Sequence, residues 1–477
     1  MAFGDNIQGS LTDLDNAIAR EYQLRPIAQF ARFGQTSRWA TFGKQVFKSK
    51  RYVYPVYYQP IAGGTIRSDY ATARTSAWPE AKELSHKFLS WGYTQQSIFR
   101  HRCKLNVLDM RRLDGGKKAV YDLAMRVISE ANADFTDTAN RAFHQDSTCS
   151  MGTVNAVYDE DGTTYTNGNR YAYLHLTDAS IAQYLPGMVL TINAAGSYTV
   201  KDVHPAPRGL TSITTAMTPG ITIDSGSGNN CDTVAATQEI RISGESTGDN
   251  IWGLPAFFST SNYYYDEDGN VLTRTDLGSA WQLPWTWNYA SGGSNVTFDL
   301  DTHLRPIANR LPTMLKMSRI ARSDGMSIST KGLVAVGPPD LINSATQEAH
   351  DNQEFTRVSA STMDASKRAE LYGEVGFEGV TWHSATAPVI SFEFDPMARP
   401  NKLDILDPEA WHWLADGEGD KGLEWMPGTI NGRWSAINDT TSNAPTFYIQ
   451  AAAFTMGLVY CDCPGTQIEI QGIASDM

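Results

Sequence analysis

The chain has 477 residues, 41% of them apolar and only 19% charged, with a formal net charge of −13. That length exceeds one compact core, so about two to four domains are expected. No apolar run approaches the ~20 residues needed to span a bilayer, which excludes a helical membrane protein, and five scattered cysteines exclude a disulfide framework.

The charge is unevenly spread. Residues 1–118 hold 19 Lys+Arg against 9 Asp+Glu, about +10, and the remainder holds 20 against 43, −23. Such asymmetry marks an interaction arm, or a part of one subunit that grips an acidic part of another. The low charged fraction points the same way, because a protein that hides surface against its own copies needs fewer surface charges. The opening residues lack a basic segment followed by an apolar stretch, so no signal peptide is expected and cytoplasmic folding is the default.

Taken in sequence order, residues 10–25 (SLTDLDNAIAREYQLR) read as an amphipathic helix, with Leu11, Leu14, Ile18 and Tyr22 at helical spacing and Pro26 as its stop. A basic, aromatic stretch without a clear buried face follows and reads as an extended arm. Residues 51–105 read as two long strands bracketing a tip rich in Gly, Ser, Thr and Pro. A tip that long suits a hairpin reaching a neighbour better than a compact domain. Residues 117–145 carry the clearest helix, with a stripe running from Val120 through Leu123, Val127 and Phe135 to Phe143. Its length would be roughly 40 Å.

From about 150 to 250 the composition shifts to Thr, Ser, Gly, Ile and Val with recurrent turns, which predicts a small β-barrel or sandwich. One short helix is expected there in LTDASIAQYLPG. The motif YDEDG occurs at Tyr158–Gly162 and again at Tyr265–Gly269. Neither copy has the Glu that closes an EF-hand loop, so both read as hairpin turns. Leu300, Leu304, Ile307, Leu311 and Leu315 predict a helix over 299–320, kinked or split by Pro306 and Pro312. KGLVAVGPPDLINSATQEAHDNQEF predicts a strand, a Pro-Pro start and a helix. GFEGVTWHS and APVISFEFDPMARPNKLDILDPEAWHWL predict three strands and a short helix opened by Asp407 and Pro408, with His412 and its tryptophans on that helix. TMGLVYCDCPGTQIEIQGI reads as strand, Pro-Gly turn, strand. Cys461 and Cys463 then share one strand face as buried thiols, since CxC lacks the loop of a zinc ribbon and no second Cys or His pair lies near.

Chemistry is hard to find. The nucleotide-loop, nucleophile-elbow and zinc-protease motifs are absent. His101 and Cys103 fall on one strand face and read as packed or surface residues. Glu393 and Asp395 invite a glycosidase reading, but that reaction needs two carboxyls at a set separation. No catalytic, cofactor or metal site is expected.

The order of elements resembles the major capsid protein of tailed bacteriophages, the HK97 fold. KKAVYDLAMRVISEANADFTDTANRAF resembles its spine helix, and the stretch from KSKRYVYPVYYQPIAGG to GYTQQSIF its extended loop (E-loop). NIWGLPAFF resembles the Gly-Leu segment that opens the axial (A) domain, and KGLVAVGPPDLINSA the strand-then-helix segment within it. GLVYCDCPGTQIEIQGI resembles the closing strand of the peripheral (P) domain. The resemblance implies an α+β, HK97-like capsid fold with an inserted β-barrel or β-sandwich. Its expected divisions are an arm at 1–50, an E-loop hairpin at 51–105, the P domain with its spine helix at 106–150, and the inserted β domain at 151–250. An A domain with returning P-domain strands follows at 251–440, and the closing P-domain strand at 441–477.

The function implied is a structural shell protein, not an enzyme, that self-assembles as pentamers and hexamers around double-stranded DNA. The expected place is the virion capsid, assembled in the host cytoplasm. Expected partners are further copies of the same protein, a separate scaffolding protein, a portal and decoration proteins. DNA contact would be non-specific and no membrane is involved. Candidate inter-subunit contacts are Arg20, Arg25, Arg51, Arg67, Arg74, Trp78, Lys82 and Lys87. Some capsids of this fold cross-link an E-loop Lys to a neighbour's Asn; Lys82 and Lys87 are the only lysines between Arg51 and Arg100, and no Asn partner is assignable. An encapsulin-like protein compartment and a β-rich carbohydrate-active or carbohydrate-binding protein stand as alternatives.

Overall fold

The computed structural model describes residues 51–59, 85–92, 97–106, 137–204, 220–246, 253–258, 264–272, 284–309, 333–351, 381–415, 424–425, 434–438, 445–461 and 464–474, apart from a few positions within these spans. The expected arm (1–50), the hairpin tip, and the expected helix before residue 137 lie outside them. Helix is present at 137–138 and 140–143. The described residues are mostly β.

The first strands are β1 (Arg51–Gln59), β2 (Ser85–Gly92) and β3 (Ser97–Asn106). β1 and β2 form an antiparallel ribbon from Arg51↔Gly92 to Gln59↔Ser85. The outgoing arm expected to run unbroken to 105 is instead two strands, because β3 pairs with a distant segment rather than with β1. Six strands follow: β4 (Gly152–Tyr158), β5 (Tyr171–Thr177), β6 (Val189–Ile192), β7 (Gly196–His204), β8 (Gly220–Asp224) and β9 (Glu239–Ile242). Next come α1 (Leu254–Phe258), β10 (Tyr264–Tyr265), β11 (Val271–Leu272), β12 (Trp285–Asn288) and β13 (Val296–Thr297). Then β14 (Leu333–Gly337), α2 (Pro339–Asp351), β15 (Thr381–Ser384), β16 (Ala387–Phe394), β17 (Lys402–Leu406) and β18 (Trp411–Ala415). The last elements are β19 (Glu424–Trp425), β20 (Trp434–Asn438), β21 (Pro445–Cys461), β22 (Ile468–Gln471) and β23 (Ile473–Ala474).

Of the two β forms expected over 150–250, the strands close as a barrel in the order β4-β5-β8-β7-β6-β9. Alternation decides what fills it. Ala172, Leu174 and Leu176 of β5, Leu190 and Ile192 of β6, Tyr198 and Val200 of β7, and Ile221 and Ile223 of β8 form one buried cluster. Closure leaves no open edge for a stray strand to pair with. The first YDEDG is the expected turn. Gly162 N donates to the Asp159 carbonyl, and Asp161 Oδ1 accepts from both the Thr163 hydroxyl and amide. Those two bonds hold the Asp161 carboxyl below its usual range. The second copy joins β10 to β11, again a hairpin. The helix expected in LTDASIAQYLPG is a single 3-10 turn at Ile181–Gln183.

The protein divides into two compact units, each assembled from separated segments. One draws on 93–255 and 411–460 and holds the barrel. Within it, Arg141 bonds Glu245 at 2.9 Å and Gln145 bonds Gln183 at 3.2 Å, which ties the residues around the helix end at 143 to the barrel. A Cβ on Gly253 would collide with the carbonyl oxygens of Phe143, Gln145 and Ala142. Those obstacles are backbone and cannot swing aside. Gly253→Ala should therefore lower stability by about 1–3 kcal/mol, the usual cost of overpacking. A thermal melt of the variant checks this, and an unchanged melting temperature would show the helix end free to shift.

The same unit is organised by β21, a 17-residue strand spanning roughly 56 Å. β3 pairs antiparallel with it from Ser97↔Gly457 to Asn106↔Tyr448. β18, β19 and β20 pair with it as well. His101 and Cys103 are thus strand residues opposite Ala453 and Ala451. His412 and its tryptophans, expected on a short helix, lie on β18 instead. Only a 3-10 turn, Pro408–Ala410, precedes them. Buried Trp411 meets Phe143 edge-to-face at 5.4 Å, and β pairing wins over a helix that has room for one turn.

The second unit draws on 51–92, 256–410 and 461–477. Its centre is a six-stranded mixed sheet, β12-β22-β17-β14-β16-β15. All five residues of β14 are buried, as befits a strand covered on both faces. Pro339 starts α2 as expected, its fixed φ suiting the first helical position. Leu341, Ile342 and Ala345 of α2 pack with Leu333, Ala335, Ile390, Phe392, Leu403, Ile405, Ile468 and Ile470 of the sheet. Leu300, Leu304 and Ile307 join them from helical residues at 300 and 302–307. Leu311, Pro312 and Leu315 lie outside the described residues. The last segment is strand, turn, strand as expected, with a 3-10 turn at Pro464–Thr466 between the strands. β21 ends at Cys461, which is buried, and β22 enters the six-stranded sheet. Cys463 lies outside the described residues.

Candidate assembly surface

Of the eight candidate contact residues, Arg20, Arg25, Arg67, Arg74, Trp78 and Lys82 lie outside the described residues. Arg51 and Lys87 lie on the β1–β2 ribbon at different pairs, Arg51↔Gly92 and Val56↔Lys87. The backbone therefore separates these two along the ribbon.

The described charge constellations are ones that sequence reasoning missed. On the barrel, Arg170 grips Asp224 through two parallel bonds of 2.6 Å each. The fork holds the Asp224 carboxyl below its ordinary value and the guanidinium above its own. Arg170 is exposed and Asp224 half-buried at the barrel surface, so the pair adds little stability and acts mainly to fix geometry. Lys201 Nζ stands 3.8 Å from the centre of the Tyr171 ring and also pairs with Glu160. Further along, Asp159 Oδ1 accepts from the Thr166 amide at 3.0 Å and from Asn169 Nδ2 at 2.7 Å. Asp232 Oδ1 accepts from the Gly168 amide at 2.7 Å and lies 3.0 Å from the Tyr165 hydroxyl. Burial and the neighbouring carboxylate push the Tyr165 phenol up. Leu185 (59% exposed) and Val189 (44% exposed) are apolar residues on the same barrel that face water.

Nothing in these groups forms catalytic machinery. Burial pushes the Cys231 thiol up to about 11, far from the thiolate a nucleophile needs. Asp395, weighed with Glu393 as an acid pair, is fully buried and its Oδ1 accepts the Met397 amide at 2.9 Å. Among the described residues no group of three or more His, Cys, Asp and Glu is placed to hold a metal ion. Among the same residues no helix is long and apolar enough to cross a membrane.

One internal constellation is strongly charged. Asp404 of β17 and Glu469 of β22 stand directly opposite each other, and both are almost fully buried. Arg399 bridges them, 3.2 Å from Asp404 Oδ1 and in contact with Glu469 Oε2. Its burial opposes its charge, and the two carboxylates more than offset this, so its pKa is raised. Gln471 donates to the other Glu469 oxygen. Seventy residues separate Arg399 from Glu469, so no local signal in the sequence marks the pair.

Solved structures similar to this protein are phage capsids. The capsid asymmetric unit of cyanophage A-1(L) matches at 13% identity over 91% of this sequence and 90% of its own, with a TM-score of 0.42. The capsid of Ralstonia phage GP4 matches at 11% identity over 91% and 86%, with a TM-score of 0.39. The capsid of the native GTA particle matches at 9% identity over 93% and 97%, with a TM-score of 0.35. No protein-family model matches the sequence, and no curated protein is similar to it.

Proposed function

We propose that this protein is the major shell protein of a tailed-phage capsid, built on the HK97 plan and assembled as pentamers and hexamers around double-stranded DNA. The observation that carries this reading is the order of elements along the sequence. A strand ribbon brackets residues 60–84, a helix ends at 143, a mixed α/β sheet follows, and the last strands return to close it. On this reading the barrel at 152–242 is a domain inserted into the minimal HK97 plan. On this reading residues 51–105 form the E-loop region, and the basic first quarter of the protein lies against acidic surfaces of neighbouring subunits. Many weak contacts repeated by closed symmetry then hold the shell. Scaffolding, portal and decoration proteins are the partners this reading requires, and the virion is its place.

The test is size. Purified full-length protein, studied by light scattering with negative-stain images of the same fraction, should give uniform closed shells in the megadalton range. A protein that stays monomeric at every concentration, alone and in extracts of the producing cell, would overturn the reading. Shell contents separate the alternatives within the fold, since nucleic acid supports a phage capsid and packaged protein supports an encapsulin-like compartment.

A further inference from the structure

The barrel carries an Asn-Gly pair, Asn167–Gly168, in an exposed turn. Asn-Gly is the dipeptide at which succinimide formation is fastest in an unrestrained polypeptide. The Gly amide nitrogen loses its proton to hydroxide and attacks the carboxamide carbon of Asn. A new bond forms between that carbon and the backbone nitrogen, the bond from the same carbon to its own amide nitrogen breaks, and ammonia leaves. Water then opens the resulting succinimide to aspartate or isoaspartate. The reaction needs an exposed Asn, a following residue with no bulk in the way, and a backbone amide free to turn. The first two conditions are met, because Asn167 is exposed and nothing lies within 4 Å of where a Gly168 Cβ would stand.

The third condition is not met. Gly168 has φ +94°, and the Asn169 amide closes the turn onto the Thr166 carbonyl. That conformation suits Gly at the third position of a turn. The Gly168 N–H is donated to Asp232 Oδ1 at 2.7 Å. Losing that proton would create an anion beside a carboxylate, and the attack would also require breaking a charge-assisted hydrogen bond. Asp232 reaches the turn from 64 residues away and is itself placed by the Tyr165 hydroxyl. Asp159 holds the turn from its other side through the Thr166 amide and the Asn169 carboxamide.

We infer that Asn167 is a self-modification site, dormant while Asp232 holds the Gly168 amide and open to succinimide chemistry once that contact is lost. Conversion adds a carboxylate to a turn already held by two others, Asp159 and Asp232, and the isoaspartyl form adds a backbone carbon to the turn. Both oppose return to the starting geometry. Asn167 therefore records, irreversibly, any opening of this end of the barrel, and the inference stands apart from the shell reading.

The experiment ages the full-length protein in mildly alkaline buffer and follows Asn167 by peptide mapping, with an isoaspartate-specific methyltransferase as a second readout. A synthetic peptide spanning Thr163–Tyr171 gives the unrestrained rate. Native protein should convert about ten- to a hundredfold more slowly than the peptide, the factor expected for a bond to a charged group that must first break. Asp232→Asn, which keeps an acceptor but removes the charge, should recover part of that difference. Wild-type protein held in urea should convert at the peptide rate, which keeps the test decisive if the variant folds poorly. Equal rates in native protein and peptide, or a well-folded Asp232→Asn protein as slow as wild type, would overturn the inference.

Discussion

A protein truncated after Cys461 will lose the fold of its α/β unit. β22 lies between β12 and β17 inside the six-stranded sheet, so its removal opens two strand edges at once. Ile468, Ile470 and Ile473 are each 0% exposed and belong to the core of that unit. Burying such residues contributes about 1.5–3 kcal/mol each. Their sum is comparable to the roughly 5–15 kcal/mol that holds a whole domain together. The Gln467 carboxamide, which accepts the buried Asp407 amide at 2.9 Å, goes with them. Limited proteolysis followed by mass spectrometry should find 256–410 cut rapidly in the truncated protein. The barrel should stay resistant, since none of its strands comes from beyond Ile242. If 256–410 resists protease as well as in the full-length protein, β22 and β23 are accessories and the core assignment fails.

Arg399→Ala should be the most damaging single substitution among the described polar residues. Directly opposed like charges destabilise a strand pair even at a surface. Here Asp404 and Glu469 are opposed, 2% and 1% exposed, and bridged by one guanidinium. Breaking a buried ion network from one side costs about 3–5 kcal/mol, because the remaining charges stay buried without compensation. Arg399→Lys should restore only part, since both carboxylates are met by the single Nη2 and an ammonium, more strongly hydrated than a guanidinium, costs more to bury there. The triple change Arg399→Met, Asp404→Asn, Glu469→Gln should recover most of the loss, because no unpaired charge is left behind. Denaturant titrations of the three proteins measure this. An Arg399→Ala protein within about 0.5 kcal/mol of wild type, the range of an ordinary surface change, would mean the carboxylates find water or another cation.

Much of the local structure was legible before any fold was known. The barrel strands carry alternating apolar residues, and a period of two is a property of neighbours in sequence. The YDEDG turns, the Pro-Pro start of α2 and the apolar run of β14 are equally local. Each depends on backbone preferences and residue spacing within a few positions. Where two local preferences competed, the sequence misled. Residues 411–415 follow a helix-start signal, yet they form a strand because β21 offers them a partner and Trp411 a buried place against Phe143. The outgoing arm of the first hairpin interleaves apolar, polar and basic residues along its whole length, and nothing in its pattern says that β2 and β3 pair with different strands.

The sequence by itself determined the barrel-forming composition of 150–250, the local turns and the start of α2, and the unequal division of charge between the first quarter and the rest. Tertiary structure decided which strands are neighbours, that β22 completes a sheet begun nearly two hundred residues earlier at β12, and which charges meet. Arg399 with Glu469, and Asp232 with the Gly168 amide, are pairs separated by 70 and 64 residues. The physical reason is that hydrogen bonding and charge act over a few ångströms in space, and only the packed core determines which distant residues come that close.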